Sequence, residues 1–304
     1  MKKLAFLFVL APILIATAQV KSFEILNPSV KQGDVVIVRI ESQWQGPMVC
    51  VSAFDKQYVP NKNGYAFIGI EVNMEPTGTL ERPDKYQAYL AECGRGVRLD
   101  SYHYEIEVLE KDFGTPWYAG PVRMPSKAVQ DRRVKDVALM RAAYDMANKN
   151  EDYTSGSFIL PLQNIEVTDY FGTLRLFGSY NRKSKKMRID KEVPHGGTDF
   201  RARTPIPVLA VNSGRVILAY NFPLRGTEGN MLVIDHGSGI ISLNLHLSKF
   251  KVKAGDWVAK GQEIALTGAT PRGTSPHLHF MMKIHGVNVD PLEFISNFNR
   301  YMNR

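Results

Sequence analysis

Apolar residues come in short runs over the first third of the chain. Val35 to Ile40, Met48 to Val51, Tyr65 to Val72, Tyr86 to Ala91 and Tyr102 to Leu109 are rich in β-branched and aromatic side chains. Gly33-Asp34, Asn63-Gly64 and Gly94-Arg95-Gly96 punctuate them, and runs bounded by such turn residues predict strands. In the last run Tyr104, Ile106 and Val108 alternate with Glu105 and Glu107, the mark of a strand with one wet face. The pattern predicts a small β-sandwich-like domain over residues 19–110. It holds no catalytic constellation, and its one histidine, His103, reads as a surface or packing residue.

The period then changes. Gly114-Thr115-Pro116 and Gly120-Pro121 open a connector, and from Ser126, a suitable N-cap, to Lys149 the spacing is helical. Val134, Val137, Ala138, Arg141, Ala142 and Tyr144 form a mostly apolar stripe opposite Arg132, Arg133, Lys135 and Asp136, which predicts a packing helix between domains. Glu151 to Gly156 reads as a flexible hinge, so residues 111–156 are expected to be a linker with a helix.

From 157 to the end the strand pattern returns in Val208 to Val211, Arg215 to Tyr220, Met231 to Asp235, Ile240 to Leu247, Glu263 to Thr267 and His277 to Ile284. Glycines mark most of the turns and no long helix is expected. The whole chain is therefore mainly β, ending in an antiparallel β domain.

Composition changes the picture at the N-terminus. Met1-Lys2-Lys3, an apolar run from Leu4 to Ala16, and Ala16-Thr17-Ala18 have the three parts of a secretory signal in order, so residues 1–18 are expected to be a cleaved signal peptide. The run is shorter than the roughly 20 residues a spanning helix needs and contains Pro12, so no stable membrane span is expected after cleavage. Export would put the protein in the periplasm or cell envelope, or outside the cell. The 304 residues include two cysteines, Cys50 and Cys93, which an oxidising compartment would join as a disulfide and which otherwise read as two buried free thiols. The net charge of +8 counts Lys2 and Lys3, and the mildly basic remainder suits an anionic wall polymer as well as plain solubility. No nucleic-acid partner is expected.

The chemistry lies in the histidines, of which there are seven. A strand through His277-Leu278-His279-Phe280 points His277 and His279 to one face. Upstream, His195-Gly196-Gly197-Thr198-Asp199 joins a histidine and a carboxylate through small residues that let them converge, and His246 sits in Leu245-His246-Leu247. A catalytic zinc site has three protein ligands and one open position. His195, Asp199 and one of the His277/His279 pair would supply the three. The two histidines left over are suited to proton transfer or to steadying a developing oxyanion.

These segments resemble the lysostaphin-type zinc endopeptidases, the LytM family, which cut the peptide part of bacterial peptidoglycan. The resemblance runs from about Phe158 to Phe294. It includes Phe171-Gly172, the His195 to Asp199 motif, the Val211 to Val216 stretch, Asp235-His236-Gly237, His246-Leu247-Ser248, Val252 to Ile264, Ser275 to Phe280 and Val289-Asp290-Pro291. It implies a LytM-like antiparallel β catalytic domain over 157–304. It also implies one Zn2+ per chain held by His195, Asp199 and His279, catalytic histidines at His246 and His277, and peptidoglycan peptides as partners. His236 and His285 match no catalytic position and read as structural.

Three departures stand out. Asn244 occupies a place where a tyrosine is common, two residues before His246. The loop Ala269 to Thr274 is poorer in glycine than usual. A basic run, Arg182 to Arg188, precedes the first motif and reads as a solvated loop. The competing reading is a non-catalytic LytM-like module that binds and regulates another wall hydrolase; such modules lack metal ligands, whereas all five positions are filled here. The N-terminal domain could bind the wall, bind a regulatory protein partner or cover the groove.

Overall fold

The computed structural model describes residues 19–43, 49–79, 86–121, 126–181, 183–202, 205–222, 229–271 and 275–302. The signal sequence expected at 1–18 and Arg182 of the basic run lie outside these.

The N-terminal strands are β1 (Gln19–Ile25), β2 (Ser29–Lys31), β3 (Val35–Gln43), β4 (Val49–Ala53), β5 (Lys56–Tyr58), β6 (Tyr65–Gly69), β7 (Gln87–Glu92), β8 (Arg98–Glu105) and β9 (Glu107–Leu109). They form one sheet in the order β1-β3-β6, a second in the order β5-β4-β7-β8, and a β2-β9 pair. Phe23, Val36, Val38, Ile68, Val51, Leu90, Ile106 and Val108 share one buried core. Cys50 and Cys93 are disulfide-bonded. His103 is exposed on β8.

β10 (Trp117–Gly120) and α1 (Lys127–Asp145) follow. Ser126 caps α1, its hydroxyl accepting from Val129 N. The buried face of α1 differs from the expected stripe. Val134 is 69% and Val137 41% exposed, whereas Asp136 and Ala143 are buried. The face of α1 turned to the sheet is Met140, Ala143 and Tyr144, with Ala147 just past its end, and beside it Arg132 is 2.8 Å from Asp136 Oδ1 and 3.1 Å from the Tyr220 hydroxyl.

The expected hinge at Glu151 to Gly156 is also corrected. Tyr153 N donates to His236 O at 3.0 Å, Ser238 N to Glu151 O at 2.6 Å and Ser155 N to Asn212 Oδ1 at 2.7 Å, while the Tyr153 and Trp257 rings meet edge to face. Small polar residues here supply hydrogen bonds that fasten the segment to the following domain.

That domain contains β11 (Val167–Asp169), β12 (Leu174–Asn181), β13 (Lys186–Pro194), β14 (Thr198–Arg201), β15 (Pro207–Leu209), β16 (Gly214–Phe222), β17 (Gly229–Asp235) and β18 (Ile240–Leu247). It continues through β19 (Lys249–Phe250), β20 (Trp257–Val258), β21 (Glu263–Leu266), β22 (His277–Ile284) and β23 (Val287–Val289), and ends in α2 (Pro291–Met302). Its main sheet runs β11-β14-β22-β18-β17-β16-β20, with β23 beside β22. The basic run belongs largely to the β12-β13 hairpin, where the Lys183 and Ser184 amides donate to Asn181 Oδ1 at the turn.

The helix α2 was not expected. Asp290 caps it, Oδ1 accepting from Leu292 N at 3.0 Å, and Phe294, Ile295 and Phe298 are buried against the sheet. The same core takes in Val35, Ile37 and Phe67 from the N-terminal sheet, with Phe67 stacked on Phe298. The opposite face of the main sheet, with Met231, Val233, Ile241, Leu243 and Leu245, packs against Ala143 of α1. Among the described residues no helix is long and apolar enough to cross a membrane.

Candidate metal centre

Strand register assembles the site. Asp169 on β11 pairs with Asp199 on β14, Asp199 with His279 on β22, and His279 with Leu245 on β18. A row of side chains thus crosses four adjacent strands, with His246 next in sequence to the last of them. His195 enters from the loop before β14. Gly197 lets that loop lie directly on β22, since a Cβ there would collide with the Phe280 carbonyl oxygen.

His195, Asp199 and His279 converge with one ligand atom each. His195 Nε2 is 3.0 Å from His279 Nδ1, His279 Nδ1 is 2.6 Å from Asp199 Oδ1, and His195 Nε2 is 3.3 Å from Asp199 Oδ1. Ligands about 2.1 Å from a tetrahedral ion stand roughly 3.4 Å apart, so the triangle needs only a small expansion to accept one. The protonation states suit ligands as well. Burial pushes the His279 imidazole pKa down, favouring the neutral ring. Burial alone would raise the Asp199 carboxyl, but hydrogen bonds from His195 and His279 pull it well below the usual carboxylate range. The Tyr170 carbonyl, 2.9 Å from His195 Nδ1, can only accept, so it holds a proton on Nδ1 and presents Nε2 to the cluster.

His277 and His246 stand beside the cluster without joining it. Their rings are 4.7 Å apart, and His246 is 5.9 Å from His279. His246 Nδ1 donates to Thr270 O and His277 Nδ1 to Ser275 O, both at 2.7 Å, which leaves each Nε2 free. His277 Nε2 lies 3.9 Å from Asp199 Oδ2. His246 has a left-handed backbone, φ 63°, which costs about 1–3 kcal/mol and turns its ring toward the cluster at the end of β18. Burial and the neighbouring His277 and His279 push its pKa down to about 4, so the ring is neutral at neutral pH.

A groove of about 1080 Å³ opens over these residues, with Trp117, Tyr170, Arg175 and Arg201 among its walls. Residues 193–291 match the model of peptidase family M23. The chain carries an M23 peptidase domain. A peptidoglycan DD-endopeptidase, ShyB, of Vibrio cholerae serotype O1 is 40% identical over 119 residues, which are 39% of this chain and 27% of that protein. A lysostaphin of Staphylococcus simulans is 34% identical over 108 residues, 34% of this chain and 22% of its own length. The match thus spans about a quarter of these curated relatives. A solved structure of an M23 peptidase from Pseudomonas aeruginosa covers 89% of this chain and 96% of its own at 23% identity and a TM-score of 0.56, which shows the fold beyond the M23 domain.

The structure brings all five residues singled out from the sequence together, His195, Asp199 and His279 in one cluster and His246 and His277 beside it. Two that matter were missed. Arg175 is 2.6 Å from Asp169 Oδ2 and 3.3 Å from Asp199 Oδ2, and its guanidinium lies 5.4 Å from the Trp117 ring centre. Asp169 Oδ2 is in turn 3.3 Å from His195 Nδ1. Arg175 follows Phe171-Gly172 by three residues, a signal available in the sequence; Asp169 reaches the site only through the β11-β14 register. Away from the site, His236 donates from Nδ1 to Ser213 O and accepts at Nε2 from the Ser242 hydroxyl, a buried and satisfied packing residue. His285 packs edge to face on Tyr58.

Proposed function

We propose that the protein is an exported zinc metallopeptidase that hydrolyses peptide bonds in the stems or cross-bridges of peptidoglycan. The observation that carries this reading is the convergence of His195 Nε2, His279 Nδ1 and Asp199 Oδ1 beside two histidines whose Nε2 atoms are uncommitted. Two neutral imidazoles and one carboxylate suit Zn2+, one per chain, which when bound would supply a Lewis acid and an acidified water. The ShyB and lysostaphin relatives support the substrate class. The basic-apolar N-terminus supports export, and so does the Cys50–Cys93 disulfide, a bond suited to an oxidising compartment.

In this reading His195, Asp199 and His279 hold the ion, and His246 and His277 are catalytic. His246, neutral and anchored through Nδ1, can accept a proton at Nε2 from the attacking water. His277 is anchored in the same way and, when it carries a second proton on Nε2, can donate it to the peptide carbonyl oxygen as that oxygen gains charge, or to the leaving amine. The two carbonyl anchors hold both rings for these transfers.

Digestion of purified peptidoglycan by the zinc-loaded protein, with products weighed by mass spectrometry, tests this. New termini from hydrolysed peptide bonds are expected, lost on chelation and restored by zinc. Undigested muropeptides with one zinc bound per chain would sink the reading in favour of a non-catalytic module.

A further inference from the structure

A second cavity, about 650 Å³, continues from the site along the face of the main sheet. Its floor follows from strand alternation. Burial alternates along β22 from His277 to Ile284, so His279, Met281 and Lys283 stand in one file on the face turned away from the core. β18 lays Leu245 beside His279 and Leu243 beside Met281. Helix α1 supplies one wall, with Arg133, Met140 and Tyr144, and the β12-β13 hairpin supplies the other, with Phe177, Lys191 and Val193. Arg175, Leu245 and His279 line both this cavity and the groove, and His195 lines this cavity, so the two spaces meet at the His195, Asp199 and His279 cluster.

The charge in this cavity is one-sided. Arg133, Arg175, Lys191 and Lys283 line it, and no aspartate or glutamate is among the described lining residues. Arg175 is already engaged by Asp169 and Asp199. Lys283 is partly buried on the sheet, where its ammonium meets neutral groups, the Gly286 carbonyl at 3.4 Å and Asn288 Oδ1, and stands 5.4 Å from the Tyr144 ring centre. A surface lysine needs no partner because water solvates it; a cation held against Met281 and Tyr144 gains much more from an anion placed beside it. Burial already pushes the Lys283 pKa down.

We propose that this cavity is a substrate subsite for the carboxylate-bearing arm of a peptide, with Lys283 at its far end and Arg133 and Lys191 on its walls. The proposal rests on the peptidase reading. From His279 to Lys283 is four residues of strand, roughly 13 Å at about 3.3 Å per residue. An extended peptide whose cleaved carbonyl sits at the ligand cluster brings a carboxylate to Lys283 when it is carried about four residues away, or at the end of an equally long side chain. The apolar floor between, Met281 with Leu243 and Leu245, suits the alkyl parts of such a peptide and gives nothing to a polyphosphate.

Titration calorimetry of the full chain tests this without turnover, using an uncross-linked stem peptide with its free carboxylates and the same peptide as the carboxamide. The carboxamide is expected to bind at least tenfold more weakly, and Lys283→Met and Lys191→Gln each to narrow that gap. Equal affinity for the two forms overturns the subsite, and so does a gap that neither variant changes. Lys191 is exposed, so its variant keeps the test decisive should Lys283→Met fail to fold. Cleavage of cross-linked peptidoglycan by the same preparations separates two failures. Turnover without carboxylate preference removes the subsite alone, and preference without turnover removes the peptidase reading.

Discussion

Arg175 Nη2 lies 3.3 Å from Oδ2 of Asp199, the oxygen turned away from His279 and His195. Through Asp169 the same guanidinium also reaches His195 Nδ1, so one cation steadies two of the three residues proposed to hold the metal. Groups that orient metal ligands in this way are typically worth 10–100-fold in metal affinity. Arg175→Met is expected to weaken zinc binding by that factor, read by competition with a chromophoric chelator. Arg175→Lys should recover only part, because an ammonium lacks the planar fork that spans both aspartates. Wild-type affinity in a folded Arg175→Met would show that the pair is incidental.

The two histidines of β22 should separate in a paired measurement. His279→Ala removes a ligand, so zinc content and muropeptide cleavage fall together. His277→Ala and His246→Ala should keep zinc and lose on the order of 10²-fold or more in rate, the usual size of a general acid–base contribution. Zinc lost from His277→Ala and kept in His279→Ala would reverse the assignment.

Acid should destabilise the fold before most carboxylates protonate. Burial holds His236 at a pKa of about 4 in the folded chain, against an unfolded value near 6.5, so the unfolded state binds more protons between these limits. Stability present above pH 6.5 is therefore lost as pH falls toward 4, by roughly 3 kcal/mol for this buried ring. His285, pushed down to about 4 by burial and Lys149, acts in the same direction. Urea midpoints measured from pH 7.5 to 4.5 should fall, with a shallower slope in His236→Asn. An unchanged slope would remove His236 as the cause.

Much of this was open to sequence reading, and the failures have physical reasons. The strands Ile240–Leu247 and His277–Ile284 were legible because alternation and turn glycines agree with the tertiary burial. Helix α2 carried its own start signal, Asp290-Pro291, but those residues were read only as part of a motif. In α1 and just past it two apolar files run side by side, and the sheet takes Met140, Ala143, Tyr144 and Ala147 rather than Val134, Val137 and Ala138, a choice that helical spacing alone does not make. The site histidines announced themselves by spacing. Asp169 enters through the pairing of β11 with β14, information that only the sheet register holds, whereas Arg175 stands three residues past the Phe171-Gly172 signal.

The Cys50–Cys93 bond closes a loop across a sequence separation of 43, which in the chain-entropy view is worth roughly 4 kcal/mol. Cys50→Ser is expected to lower stability by about that amount while leaving zinc content unchanged under native conditions. Calorimetry and metal analysis of the same sample check both halves. Loss of zinc in the folded variant would mean that the two ends of the molecule are coupled more tightly than their contacts imply.

β3 serves two interiors at once. Val35 and Ile37 face the M23 core, and Val36 and Val38 face the N-terminal core. Every second residue belongs to a different neighbour, so adding or removing one residue would turn both sets of side chains to the wrong side together. Substitutions of similar bulk can be absorbed one face at a time, but an insertion or deletion cannot. The strand ties the spacing of the N-terminal half to that of the M23 domain, and a transplant of the M23 domain to another scaffold would have to bring this strand along or replace its odd-numbered face.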